Sequence, residues 1–322
     1  MKTINNIEEL LKQVHTVAIA GHRNPDGDCV GSCMGLYLYL KDNYPDIKAD
    51  VYMEEPLPVF DYIKDLKEAK TICESGKEYD LVVILDVSSV ERIGVAADLL
   101  ESAKNTVCID HHVTNVGICE VNHVLPDASS TSEVLYHLLD DKKISKECAE
   151  SLYTGIVHDT GVFQYSCTAP ETMRVAANLM EKGVAFTKII EETFYQKTYA
   201  QNQIMGRTVM ESIMLLDSKC IVGIVRQKEL DFYGIETRDL DGIVNQLRNT
   251  KGVDVAIFLY EMSPQTFKVS LRTTENVDAS KVAAIFGGGG HARAAGCTMQ
   301  GQPFDVINSL TLYIEKQLTG VE

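Results

Sequence analysis

The stretch Thr16-Val17-Ala18-Ile19-Ala20-Gly21-His22-Arg23-Asn24-Pro25-Asp26-Gly27-Asp28 decides how the first half of the chain is read. Thr16 to Gly21 is a short apolar run of the kind that forms a fully buried strand. Pro25, Asp26 and Gly27 then favour a turn. Cys29 to Leu40, CVGSCMGLYLYL, reads as a helix in which Gly31, Ser32 and Gly35 are small enough to pack closely against a strand. Strand, polar turn and helix in that order open a β-α-β unit, and this turn carries His22, Asp26 and Asp28.

The pattern recurs. Ala49 to Met53, Leu81 to Asp86 and Thr106 to Asp110 also read as short buried strands, each ending at or near an acidic or histidine residue. Strands alternating with helical segments predict a parallel, doubly wound α/β sheet, in which ligands gather outside the carboxyl ends of the strands. His22, Asp26, Asp28, Asp86, Asp110-His111-His112 and the later His158-Asp159 are therefore expected on one edge. Taken singly, an aspartate at a strand end is often only a helix N-cap, and His111-His112 would suit a solvated loop. Together, carboxylates and imidazoles form the mixed donor set of divalent ions, and a carboxylate between two ions holds them roughly 3.5 to 4 Å apart. Such a site acts on phosphate esters.

Composition narrows the field. A chain of 322 residues is roughly twice the common domain size, so two domains are expected. Hydrophobic content of 45% with 24% charged residues is that of a globular protein with a full core. No run approaches the roughly 18 apolar residues of a membrane span, and MKTINNIEELLKQV reads as an amphipathic helix rather than a signal peptide. Nine cysteines without a CxxC pair read as free thiols of a reducing compartment, so a cytoplasmic location without a membrane partner is expected. A net charge of −16 argues against long nucleic acid as a partner, because a surface that binds many phosphates is basic.

Ser129-Ser130-Thr131 followed by Glu133 reads as the N-cap of a helix over 131–140. The Gln-rich segment 187–210 reads as a helical linker between a domain at 1–186 and a smaller α+β domain at 211–322. In the latter, SIMLLDSKCIVGIV around Asp217-Ser218 reads as a hairpin, and Val253 to Tyr260 with Thr266 to Arg272 as a second strand pair. Helices are expected over Leu240 to Arg248 and Phe304 to Gln317. Phe286-Gly287-Gly288-Gly289-Gly290-His291-Ala292-Arg293-Ala294-Ala295-Gly296 would let backbone N–H groups approach an anion, with His291 and Arg293 as further donors. His15, His123 and His137 lie in no motif and read as ordinary histidines.

HRNPDGD at 22–28, DHH at 110–112, HDTG at 158–161 and FGGGGHARAAG at 286–296 resemble the DHH/DHHA1 phosphoesterases, and the length resembles their stand-alone nanoRNase branch. The resemblance covers nearly the whole chain with its motifs in family order. It implies an active site in a cleft between the two domains and two divalent ions, manganese first, with magnesium or cobalt as alternatives. By the same resemblance His22 and Asp26 hold one ion, Asp28, His111 and Asp159 the other, and Asp86 bridges them. His112 faces the phosphate and Asp110 orients an imidazole. Arg272, Gly288, Gly289, Gly290 and His291 grip the substrate, with Arg293 as an accessory and His158 as a core or supporting residue. Val162 stands where some relatives carry a basic residue, with Gln164 further on.

The activity so implied is hydrolysis of short RNA and dinucleotides such as pApA to mononucleotides, with removal of the 3'-phosphate from 3',5'-phosphoadenosine (pAp). A dinucleotide-messenger phosphodiesterase, a family II-like inorganic pyrophosphatase and a non-catalytic nucleotide-binding module are the alternatives. A homodimer is one assembly the sequence allows.

Overall fold

The computed structural model describes residues 4–73 and 76–320, in two compact units that meet at Gln196 and Lys197. The N-terminal segment expected as an amphipathic helix makes only a 3₁₀ turn, Ile7–Glu9, with Asn6 accepting from the Glu9 N–H. Gln13, at a φ of 61°, then turns the chain into the first strand. Met1 to Thr3, part of that expected helix, lie outside the described residues.

In the first unit β1 (Thr16–Ala20), α1 (Gly27–Asn43), β2 (Lys48–Tyr52), β3 (Leu81–Leu85), α2 (Leu99–Ser102), β4 (Thr106–Asp110), β5 (Val121–Val124), α3 (Thr131–Leu138), α4 (Lys146–Asp159), α5 (Pro170–Glu181) and α6 (Phe186–Ile190) follow in order. The five strands form one parallel sheet in the order β2-β1-β3-β4-β5. Strand order reverses between β1 and β3, and a crevice opens beyond the carboxyl ends of two strands whose connections run in opposite directions. His22 and Asp86 leave the sheet at that point.

One face of the sheet packs on α1, α3 and α4 through Ile19, Val83, Ile109, Val30, Val134 and Ile156. The other buries Ala18, Ile84, Tyr52 and Tyr79 under Ile93 and Leu99. The small residues of α1 face α4, not a strand. A methyl group built on Gly31 would lie 2.5 Å from the Ser151 carbonyl oxygen, and one on Gly35 2.7 Å from the Leu152 side chain. Two helices that pack this closely need such a seam. β5 was not legible beforehand, because VNHV is only four residues long and half polar.

The second unit contains α7 (Tyr199–Met210), β6 (Ile213–Leu215), β7 (Cys220–Val225), α8 (Gln227–Tyr233), α9 (Ile243–Arg248), β8 (Val255–Ser263), β9 (Thr266–Thr273), α10 (Ala279–Ile285), β10 (Gly289–His291), β11 (Ala294–Gln300) and α11 (Pro303–Thr319). Its six-stranded sheet runs β10-β11-β9-β8-β7-β6. The two hairpins join through the parallel pair β7 and β8, and every other pairing is antiparallel. Val269, Leu271 and Leu310 fill one core, Ile221, Phe258 and Leu247 the other.

Segment 187–210, expected as a single helical linker, is divided. α6 runs into a π-helical turn, Glu191–Tyr195, and both belong to the first unit, where Ile189 is buried and Thr193 is bonded to His158. α7 starts afresh at the Thr198 cap and packs Ile204 into the second unit. Continuous polar and apolar periodicity carried no sign of the extended Gln196 that separates them.

Candidate functional site

β1 delivers His22 into a buried position, where a bridge to Ile93 fixes its backbone. The His22 Nδ1 lies 2.8 Å from the Arg23 carbonyl oxygen, so that nitrogen donates and Nε2 is the atom turned to the carboxylates. Nε2 is 3.6 Å from Asp26 Oδ1 and 3.4 Å from Asp86 Oδ2. Asp26 is also the cap of α1, its Oδ1 accepting from the N–H groups of Asp28 and Cys29 at 3.1 Å each. The capping role and a place in a candidate metal-binding triad, alternatives in the sequence, fall on one side chain.

Asp86 follows the last residue of β3 with a φ of 60°. A left-handed backbone at a non-glycine residue costs of order 1 to 3 kcal/mol and clusters at functional sites. Its carboxylate divides between two groups, Oδ2 toward His22 and Oδ1 3.7 Å from His111 Nε2. His111 Nε2 is also 3.1 Å from Asp159 Oδ2, at the end of α4. Among the described residues, three sets of potential ligand atoms result, the atoms of each set within 4.8 Å of one another: His22, Asp26 and Asp86; Asp28, His111 and Asp159; Asp86, His111 and His112. The first two bring together the residues assigned to the two ions in the sequence, and Asp86 adjoins both.

Buried Asp28 accepts from the Thr131 N–H at 2.6 Å and the Ser132 N–H at 2.9 Å, at the N-terminus of α3. The Thr131 hydroxyl donates to Asp86 Oδ1 at 3.1 Å. His112 Nδ1 lies 2.7 Å from Asp110 Oδ1, which leaves Nε2 to face outward, and the other Asp110 oxygen accepts from Asn115 Nδ2 at 2.7 Å. Thr131, Ser132 and Asn115 were missed from the sequence. A helix-capping reading already accounted for the Ser-Ser-Thr run, and Asn115 acts through tertiary contacts. His158 packs between Phe60 and Phe194, bonds Thr193 and lies against Gly27.

The electrostatics suit cations. Burial together with repulsion from Asp86 pushes the Asp28 carboxyl well above the usual carboxylate range, and burial with the charges of Asp28 and Asp86 does the same to Asp159. Burial opposes a charge on His22, but Asp26 and Asp86 override it and push the imidazole up to about 12. Burial likewise disfavours charge on His112, and Asp110 and Asp86 outweigh it, raising this imidazole. The carboxylates thus compete for protons that divalent ions would displace, and the mixed O and N donors fit such ions.

In the second unit the glycine run is a helix stop followed by a strand. Gly287, at a φ of 71°, ends α10. The N–H groups of Gly287 and Gly288 donate to the carbonyl oxygens of Ala284 and Ala283 at 3.1 and 2.9 Å, a Schellman cap. The Gly288 N–H, expected as an anion donor, is therefore engaged in holding the helix end. Gly290 has a φ of 140°, and a methyl group there would meet the Ala294 carbonyl oxygen at 2.5 Å. A methyl group on Gly289 would meet nothing within 4 Å. His291 is exposed on β10, paired in register with Ala294. Arg272 Nε donates to Asn245 Oδ1 at 3.0 Å, and the Arg293 guanidinium donates to the carbonyl oxygens of Thr274 and Val277. Arg293 thus secures the 274–277 loop.

The DHH family N-terminal domain pattern matches residues 16–156, and the DHHA1 domain pattern residues 217–316. The bifunctional oligoribonuclease and PAP phosphatase NrnA of Thermus thermophilus is 30% identical over 93% of this chain and 89% of its own. The Bacillus subtilis protein of the same name is 26% identical over 88% and 89%. The crystal structure of an exopolyphosphatase-related protein from Bacteroides fragilis superimposes with a TM-score of 0.89 at 25% identity, covering 98% of this chain and 96% of that one. With the candidate metal-binding triads at the start of α1 and the ends of β1, β3, β4 and α4, and the glycine-ended α10 in the second unit, this chain belongs to the DHH family in its two-domain DHH–DHHA1 form.

Proposed function

We propose that the chain is a divalent-metal-dependent phosphoesterase that hydrolyses short oligoribonucleotides, including dinucleotides such as pApA, to mononucleotides and removes the 3'-phosphate of pAp. The observation that carries this reading is the pair of donor triads that adjoin the two oxygens of Asp86. The names of the relatives supply the substrate class. His22, Asp26 and Asp86 would hold one ion, and Asp28, His111, Asp159 and Asp86 the other, with manganese the ion best suited to these donors. When bound, two such ions supply Lewis acidity toward the phosphate oxygens and toward the attacking water.

The chain's own groups do the rest. Asp110 holds His112 through Nδ1, so Nε2 is directed to the phosphate, where it moves a proton to or from an oxygen of the ester. By donating Nδ1–H to the Arg23 carbonyl, His22 turns Nε2 to the ion, which would displace the proton that Asp26 and Asp86 favour there. In the second unit Arg272, Gly289, Gly290 and His291 are proposed as the phosphate grip, with the Gly288 N–H excluded by its role in the cap.

Turnover on a panel of pAp, pApA, short RNA, cyclic di-AMP and pyrophosphate, with manganese, magnesium, cobalt or chelator, tests the reading. The expected result is metal-dependent hydrolysis of pAp, pApA and short RNA. Rapid turnover of pyrophosphate alone makes the protein a pyrophosphatase. A preference for cyclic di-AMP makes it a messenger phosphodiesterase, and purified protein that takes up no metal makes it a binding module.

A further inference from the structure

The first unit holds only three arginines, Arg23, Arg92 and Arg174, amid a strong acid excess. Arg174 pairs with Glu171 at 2.7 Å on α5. The other two lie on adjoining loops at the carboxyl ends of β1 and β3. The Arg23 N–H donates to the Arg92 carbonyl oxygen at 2.9 Å, His22 and Ile93 form a bridge, and the Gly94 N–H donates to the Gly21 carbonyl oxygen at 3.3 Å. The segments 21–24 and 90–94 are stapled into one ledge that carries the ligand His22.

Both arginine side chains are exposed, and among the described residues neither guanidinium has an ion pair or a hydrogen bond. The nearby carboxylate of Glu54 is turned to the Asn24 N–H at 2.8 Å instead. Arg23 directly follows the candidate ligand His22, and Arg92 directly precedes Ile93, whose backbone bridges to His22. Two unpaired guanidiniums in an acidic unit, both beside the donor triads, form a local positive rim. A guanidinium fork matches two oxygens of a phosphate, whereas an ammonium offers a point charge.

We propose that Arg92, with Arg23 beside it, forms an anion-binding ledge that grips the nonbridging oxygens of the phosphate under attack. The proposal rests on the phosphoesterase reading above and adds a site in the first unit, separate from the grip assigned to the second. Arg92 binds the scissile phosphate, so it acts on every substrate, including a phosphodiester without a nucleoside.

The test uses the full-length, manganese-loaded protein with Arg92→Ala, Arg92→Lys and the double variant Arg23→Ala/Arg92→Ala. Inorganic phosphate is the probe, both in calorimetry and as an inhibitor of pAp and bis-p-nitrophenyl phosphate hydrolysis. Loss of a charge-assisted pair of hydrogen bonds predicts phosphate binding weaker by about 10- to 100-fold in Arg92→Ala. KM should rise on both substrates while manganese affinity stays at the wild-type value. Arg92→Lys should fall between, and added guanidinium should restore part of the Arg92→Ala rate. Phosphate affinity within about twofold of wild type in the double variant overturns the ledge. A parallel loss of manganese affinity also overturns it, because the arginines would then only brace the loop. If the wild type cleaves no phosphoester, the functional reading fails, and phosphate calorimetry still decides the ledge.

Discussion

Asp86 concentrates the conflict on which the site is built, since it combines a left-handed backbone, burial and two histidines on opposite oxygens. Its charge also raises the carboxyls of Asp28 and Asp159, so without cations it destabilises its surroundings. Asp86→Asn keeps the shape and an acceptor for the Thr131 hydroxyl, and asparagine tolerates the left-handed region. The expected outcome is a metal-free variant that melts above the metal-free wild type, gains no stability from manganese and has lost nearly all activity. Thermal melts with and without manganese, alongside metal content, read this directly; a variant with two bound ions and near-normal turnover contradicts the bridging role. Asn115 acts one step further out, since it holds Asp110, which holds His112. Asn115→Ala should lower kcat by about 10- to 100-fold, the usual effect of losing such a partner, and shift the pH–rate profile, with manganese affinity little changed. An unshifted profile would reduce Asn115 to a packing residue.

At the scale of elements, the N-terminal turn of α3 is the brace of the site, because Thr131 and Ser132 present two N–H groups to Asp28 and a hydroxyl to Asp86. α4 must leave room for that arrangement. A methyl group on Gly155 would stand 2.0 Å from the Ser132 hydroxyl and 2.6 Å from Asp28 Oδ1. Gly155→Ala is therefore expected to destabilise the protein by about 1 to 3 kcal/mol, the range for overpacking a core, and to weaken manganese binding as Asp28 is displaced. Denaturant unfolding and a metal titration check the two effects; wild-type metal affinity would show that Asp28 is dispensable. What the sequence made legible follows the same division. β1, β3 and β4 were readable because each is an apolar run ending in a ligand type, and α1 because Pro25 and Asp26 mark its start. β5, with Asn122 and His123 in four residues, lacked an apolar signal. The partner of the α1 seam, the break at Gln196 and the braces Thr131 and Asn115 depend on contacts distant in sequence. The glycine run does bend the backbone at Gly287 and Gly290, but Gly287 and Gly288 serve the end of α10, which periodicity had not revealed.

Across the whole molecule charge is unevenly divided, since acidic and basic residues nearly cancel over 197–322 and the excess behind the net charge of −16 lies in residues 1–196. Donors proposed to grip substrate thus sit in a nearly neutral unit, and the candidate metal-binding groups in an acidic one. His291→Ala and Arg272→Ala should weaken turnover of pAp and pApA by about 10-fold or more, the worth of one charge-assisted hydrogen bond, while bis-p-nitrophenyl phosphate is cleaved almost as before and metal content is unchanged. Equal losses on both substrates would place these residues elsewhere in the chemistry. The acid excess also bears on substrate length. A dinucleotide or pAp brings few phosphates beyond those that ions and arginines neutralise, whereas an RNA of about 24 nucleotides lays many phosphates along an acidic surface with no counterion release to favour it. Specific activity should fall steeply from short to long RNA at matched 5'-end concentration. Because exposed charges are screened over about 10 Å at 0.1 M salt and about 30 Å at 0.01 M, raising the ionic strength should narrow the gap by speeding the long substrate relative to the short one. A length preference that ignores salt would mean that shape, not charge, excludes long RNA, and equal rates at low salt would remove the electrostatic argument altogether.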